Sequence, residues 1–215
     1  MSKLVLYSDQ IVGVSEGVDE ALIRLIGKGS PMVAYIPSCT DKRGYYNQKV
    51  EYYSRLGIGD LFYFDLDEEY DEDQISTLLS CDVIHLSGGN TFRFLYNLQK
   101  RNFLALLRNY VHDGGILVGV SAGAILMSHT IKAARICDIN DIVIHDLNGI
   151  GLVSCDFFPH FKGENDYLNA VLQFSRDEHS ISYLCSDSDG IIINNGEINI
   201  IGSPLKVVNG LIEHI

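Results

Sequence analysis

Gly114-Gly115-Ile116-Leu117-Val118-Gly119-Val120-Ser121-Ala122-Gly123-Ala124 is the stretch on which the reading of this chain turns. Positions 116–120 are apolar throughout, as in a strand covered by helices on both faces of a parallel sheet. Ala124-Ile125-Leu126-Met127 continues in helical character, so the chain passes from buried strand to helix across Ser121. Residues 119–123 fit G-x-S-x-G, a serine on a strained turn with glycine two positions away on either side. Such a turn lifts the serine Oγ out at the carboxyl end of the strands, where open α/β sheets bind ligands. The helix beginning beneath it offers free N–H groups to a developing oxyanion. A Gly-Ser turn that only packs a helix onto a sheet satisfies the same letters. The strand before it and the helix after it favour a nucleophile.

Outward from this turn, short apolar runs alternate with longer helical patterns. Ahead of it, 3–7, 31–36, 61–65 and 83–86 read as strands, and 16–26, 45–56, 71–79 and 91–113 as helices. That alternation predicts βαβ units and a mainly parallel sheet. Behind it, a helix over 122–129 gives way to strands at 142–145, 153–158, 181–184, 190–194, 198–201 and 205–208. One helix at 167–174 interrupts them, and Asn195-Gly196 makes a hairpin turn. The expected fold class is α/β: one domain over 1–215, a mainly parallel sheet flanked by helices, with partly antiparallel strands added in the C-terminal third.

Composition narrows the function. The 215 residues carry 16 Lys+Arg against 28 Asp+Glu, a net charge of −12, which argues against nucleic acid or an anionic membrane surface as partner. With 47% hydrophobic residues the chain can bury a core. The five cysteines are scattered and form no C-x-x-C, so they read as reduced thiols. With no apolar run of membrane length and no signal-like N-terminus, the cytoplasm is the expected location. No H-x-x-x-H or clustered His/Asp pattern suggests a metal, and no cofactor is expected.

A second glycine-rich turn, Leu86-Ser87-Gly88-Gly89-Asn90-Thr91, follows the strand at 83–86. The N–H of Gly89 together with that of Ala122 would make a two-donor oxyanion hole. Gly88, Asn90 and Thr91 are candidate substrate contacts, and Asn90 serves equally well as a helix cap. Among seven histidines, His160 is the best base, behind Pro159 and walled by Phe157, Phe158 and Phe161. His145 is its nearest rival, His129 is too far along the helix, and His85, His112, His179 and His214 read as packing or surface residues. The acid that would fix the imidazole tautomer lies in Cys185-Ser186-Asp187-Ser188-Asp189-Gly190, where Asp187 and Asp189 are not separable by pattern alone.

L-S-G-G-N-T (86–91), G-V-S-A-G-A (119–124) and F-P-H-F (158–161), in this order and spacing, resemble the peptidase E family of serine peptidases. That family includes the aspartyl dipeptidases and, more distantly, the cyanophycinases, on a fold like the class I glutamine amidotransferases. The resemblance implies a triad in the order serine, histidine, acid, with Ser121 as nucleophile and His160 as base. It places the acid just before a strand-opening glycine, at Asp189, where the aspartyl dipeptidases use Glu. Those enzymes carry arginines after the histidine, whereas Lys162-Gly163-Glu164-Asn165-Asp166 has none. An Asp-X preference therefore does not carry over, and Lys162 and Arg93 remain as candidate carboxylate partners.

The expected activity is hydrolysis of short peptides through a covalent acyl-enzyme. Its rivals are another serine acyl hydrolase, an esterase or amidase, and a non-catalytic small-molecule binder. A glutamine-amidotransferase-type hydrolase would want Cys where Ser121 stands. The expected partner is a short peptide substrate, with a homo-oligomer left open.

Overall fold

The computed structural model describes residues 2–39 and 43–213. Seven strands form the larger sheet: β1 (Lys3–Tyr7), β2 (Met32–Ile36), β3 (Asp60–Tyr63), β4 (Val83–Leu86), β5 (Ile116–Val120), β8 (Gly190–Asn194) and β9 (Glu197–Ile201). Their order is β3-β2-β4-β5-β1-β8-β9. The first five are mutually parallel, and β8 and β9 add on antiparallel beyond β1. A second sheet of four strands runs β11 (Leu211–Glu213), β10 (Leu205–Val208), β7 (Ile181–Leu184), β6 (Asp156–Phe158). Within it β6 and β7 are parallel and the other pairs antiparallel.

The alternation of side chains along each central strand builds two cores, one on each face. Leu4, Leu6, Ile84, Leu86 and Leu117 face a cluster that includes Phe92, Phe94, Leu98 and Phe103 from α4 (Thr91–Lys100) and α5 (Phe103–His112). Val5, Tyr7, Val33, Val83, Val118 and Val120 face the other way. They meet Val18 and Leu22 of α1 (Glu16–Ile26) and Tyr53 of α2 (Arg43–Arg55). Every residue of β5 is buried, which is why its sequence is apolar without alternation. The remaining helices are α3 (Ile75–Ser80), α6 (Ala122–Ile125), α7 (Ala134–Cys137) and α8 (Asn165–Asp177). None of the described helices is long and apolar enough to cross a membrane.

The expected 91–113 helix is two helices, because Asn102 takes φ +59, a left-handed conformation that asparagine tolerates better than most residues. The helix after Ser121 ends at Ile125 and not near 129. The Leu126 and Met127 carbonyls accept from Ile150, Leu152 and Val153, so a passing segment takes the acceptors that further helix would need. The expected strand at 142–145 is absent. Asn140 binds Ile144 through both its amide and its carbonyl, and Val143 has φ +54, which makes a closed turn. Only 156–158 of the expected 153–158 strand pairs in a sheet.

Candidate active site

Ser121 leaves the end of β5 with φ 51 and ψ −106, a conformation that costs a non-glycine residue about 1–3 kcal/mol. Packing holds it there. The Ser121 N–H donates to the Tyr7 carbonyl at 3.0 Å, and the Gly123 N–H to the Ser87 carbonyl at 3.1 Å. A Cβ on Gly119 would overlap the Gly123 carbonyl, and one on Gly123 would overlap the Leu86 carbonyl. Both flanking glycines are therefore sites of close backbone approach, between β5 and the turn and between the turn and β4.

His160 follows β6 and has φ +62. Its Nε2 lies 2.9 Å from Ser121 Oγ, and its Nδ1 lies 2.8 Å from Asp187 Oδ1. An ionised carboxylate can only accept, so Nδ1 carries the proton and Nε2 is left bare to accept from the serine hydroxyl. The backbone N–H of His160 donates to Ser8 Oγ at 2.8 Å. Ser8 is fully buried, and its hydroxyl donates in turn to the Cys185 carbonyl at 3.1 Å. The end of β1 thus ties the serine turn, the histidine loop and the acid loop together. Lys162 Nζ stands 3.7 Å from the second oxygen of Asp187.

Asp187 occupies the place expected for Asp189. The segment 185–189 is a turn, closed by the Asp189 N–H donating to the Ser186 carbonyl, so side chains two apart do not share a side as they would in a strand. Asp189 is 4% exposed and accepts from the Ser186 N–H (2.7 Å), the Ser186 hydroxyl (2.9 Å) and the Ser203 N–H (3.0 Å). Its oxygens are committed to fixing the loop. Gly88, an expected substrate contact, and Gly89, an expected oxyanion donor, line the cleft beside Ser121. Asn90 instead caps α4, accepting from the Arg93 N–H and donating to the Ile139 carbonyl. Thr91 is buried and donates through its N–H and hydroxyl to Asp138. Arg93 pairs with Asp141. Ala122 opens α6, so its N–H has no partner within that helix. His145 shares none of these contacts, and His214 lies outside the described residues.

The cleft holds about 400 Å³ and runs from Ser121 and His160 past Gly88 and Gly89 to a wall of Asp9, Gln10, Ile11, Tyr35, Tyr45, Gln48 and Lys49. Sequence reasoning passed over this wall. The signal that could have found it is position, since Ser8 to Ile11 follow the carboxyl end of β1, the strand next to β5. Burial pushes the Lys49 ammonium down to about 8, against the pull of Asp9 and Asp19 in the other direction. Its Nζ donates to the Gln10 carbonyl and sits 5.0 Å from the Tyr52 ring centre. Beneath it Asp19 accepts from the hydroxyls of Tyr7 and Tyr52, and burial raises its carboxyl nevertheless. Among the described residues, Asp9, His160 and Asp187 place ligand atoms within 4.8 Å of one another, as a cation would need. Both ring nitrogens of His160 are already engaged.

Residues 5–201 match the profile of peptidase family S51. The chain belongs to that family. A Peptidase E of Nostoc sp. is 25% identical over 215 residues, covering 95% of this chain and 80% of that protein. A Peptidase E of Salmonella typhi is 28% identical over 142 residues, and one of Salmonella arizonae is 37% identical over 83 residues. These two matches span only 57% and 34% of the relatives' own lengths. Two solved structures share the fold. One, a candidate peptidase E protein from Listeria monocytogenes EGD-e, has a TM-score of 0.76 and 23% identity over 93% of this chain and 98% of its own. The other, a peptidase from an acI-B1 actinobacterium, has a TM-score of 0.74 and 17% identity over 100% and 94%.

Proposed function

We propose that this S51 protein is a serine peptidase that hydrolyses short peptides. The observation that carries the reading is the hydrogen-bonded chain Ser121–His160–Asp187 at the floor of the cleft. Ser121 Oγ attacks the scissile carbonyl while His160 Nε2 takes its proton, and Asp187 holds the ring and stabilises the imidazolium. The N–H groups of Gly89 and Ala122 receive the oxyanion. The C–N bond then breaks as His160 delivers the proton to the leaving amine, and the acyl group stays on Oγ. Water, deprotonated by His160, cleaves that ester and restores the serine. A cleft of about 400 Å³ suits a short peptide better than a folded protein. The names of the Peptidase E relatives support the same class.

A fluorophosphonate probe tests this directly. Labelling at Ser121, absent in Ser121→Ala, is the expected result, together with a loss of about 10⁶ in kcat on any peptide the protein turns over. An unlabelled wild-type protein would overturn the reading in favour of a binding protein.

A further inference from the structure

Two carboxylates converge on the imidazole of His160. Asp187 Oδ1 lies 2.8 Å from its Nδ1. From the cleft wall, Asp9 brings a carboxylate oxygen to within 4.8 Å of both a His160 ring nitrogen and an Asp187 oxygen. Among the described residues no other three His, Cys, Asp or Glu side chains are grouped in this way. The backbone ties the three positions together. Ser8, next to Asp9, takes the His160 N–H on its hydroxyl and gives its own N–H to the carbonyl of Asp189, in the loop that carries Asp187. Asp9 spends one carboxylate oxygen on the Gln10 N–H at 2.7 Å. The His160 side chain is 43% exposed, so the group is open to solvent.

We propose that Asp9, His160 and Asp187 form a binding site for a divalent cation of the zinc class, whose occupancy switches the hydrolase off. The switch rests on the peptidase reading, whereas the site does not. Ligand chemistry selects the cation. One imidazole and two carboxylates suit zinc at about 2.0–2.2 Å, with a water as fourth ligand. Two ligand atoms on such an ion stand about 3.3–3.5 Å apart. That spacing lies between the 2.8 Å and the 4.8 Å limit found here, so side-chain shifts of at most about 1.5 Å close the site. Mg²⁺ and Ca²⁺ take oxygen ligands, and Mg²⁺ gives up its waters reluctantly. Lys162, 3.7 Å from the second oxygen of Asp187, opposes a cation there. Its side chain is 67% exposed, so it withdraws into water at little cost.

The ion disarms the base on either ring nitrogen. On Nδ1 it replaces the proton that Asp187 holds. The single proton of the ring then sits on Nε2, which no longer accepts from the Ser121 hydroxyl. On Nε2 the ion takes the lone pair itself. No covalent bond other than that N–H is made or broken, and removal of the ion restores the triad.

Zn²⁺ binding is measured directly on Ser121→Ala by competition with a chromophoric chelator, which needs no turnover. The rate of fluorophosphonate labelling of Ser121 is then followed in wild type with and without Zn²⁺. Adding Asp9→Asn or His160→Gln to Ser121→Ala should each weaken binding by at least ~10–100-fold, the cost of losing even an outer-shell partner of a metal site. Saturating Zn²⁺ should slow labelling of wild type at least tenfold, EDTA should restore it, and Mg²⁺ at the same concentration should leave it unchanged. In Asp9→Asn the Zn²⁺ needed for half-protection should rise by the same factor as Kd. Binding as tight in the Asp9→Asn or His160→Gln protein as in its parent puts the ion elsewhere, for instance on the exposed Cys137, and overturns the site. Zn²⁺ bound through Asp9 and His160 that leaves labelling untouched overturns the switch. A wild type that binds Zn²⁺ in this way yet is never labelled removes the peptidase reading, and the switch with it, while the site stands. Should Asp9→Asn fold poorly, Asp9→Ser removes the same ligand and decides the matter together with His160→Gln.

Discussion

Ser121 leaves a strand whose neighbours on both sides are parallel, whereas His160 and Asp187 leave the loops that follow β6 and β7 of the smaller sheet. In the first region position follows from the sheet itself. Pairing fixes β5 between β4 and β1, and the close approach at Gly119 and Gly123 fixes the turn. In the second region β6 has only three residues, and position depends on individual hydrogen bonds. The Cys185 N–H donates to the Phe158 carbonyl, the Phe161 N–H to the Cys185 carbonyl, and the Ser186–Asp189 turn is closed on itself. Ser8 joins the two regions. Ser121 is thus held by packing, and His160 and Asp187 by a polar network. Damage to the first should show as lost folding, and damage to the second as lost geometry.

The acid loop gives the largest expected contrast. Asp187→Asn should lower kcat by about 10²–10⁴-fold, because the amide no longer holds Nδ1 protonated, and should leave the thermal melt near that of the parent. Asp189→Asn should do the reverse. Its NH2 would face either the Ser186 or the Ser203 N–H, donor against donor, at a buried site, which costs about 1–3 kcal/mol for the unmet group. Paired kinetics and melts of both variants check this, and a reversed ranking would return the triad to Asp189.

The next effect tests packing against network. Gly119→Val and Gly123→Val each drive a branched side chain into a backbone carbonyl, so both should lower stability by more than the roughly 1–3 kcal/mol of ordinary overpacking. Chemical denaturation reads it. Melts equal to the parent would mean that the turn relaxes freely, and the contrast between the two regions would fail.

This contrast also explains what the sequence made legible. The strands at 3–7, 83–86, 116–120, 181–184 and 190–194 stand where their apolar pattern places them, since burial on both faces leaves a strong signal. The elbow is legible because steric demand at 119 and 123 admits only glycine. The acid is not. Whether 187 or 189 faces the ring depends on a turn closed by one backbone hydrogen bond, and an extended reading of 185–189 misplaces it. The Asn140 turn likewise defeats the β-like letters of 142–145. The cleft wall is built from residues far apart in sequence, Asp9 to Ile11 with Tyr35 and Gln48-Lys49. Only the order of the strands brings them together.

The smallest expected effect lies within the packed region and concerns Lys49. Burial holds its folded pKa at about 8, below the roughly 10.4 of an unfolded lysine. Between those values the unfolded chain binds more protons than the folded one, so this group makes stability rise with pH from about 8 to about 10.4. Below about 8 both states are protonated, and the full cost of burying the ammonium is present. Asp9 and Asp19, which favour the charge, reduce that cost without cancelling it. Lys49→Met keeps an apolar stem of similar length and removes the ammonium that sits over the Tyr52 ring. At pH 7 it should melt a few degrees above the parent, at about 2–4 °C per kcal/mol for a chain of this size. The gap should narrow as the pH approaches 10. A variant that melts lower at pH 7, or a gap independent of pH, would mean that the Gln10 carbonyl and the two aspartates more than repay desolvation. The cation would then be a support of the cleft wall and not a cost within it.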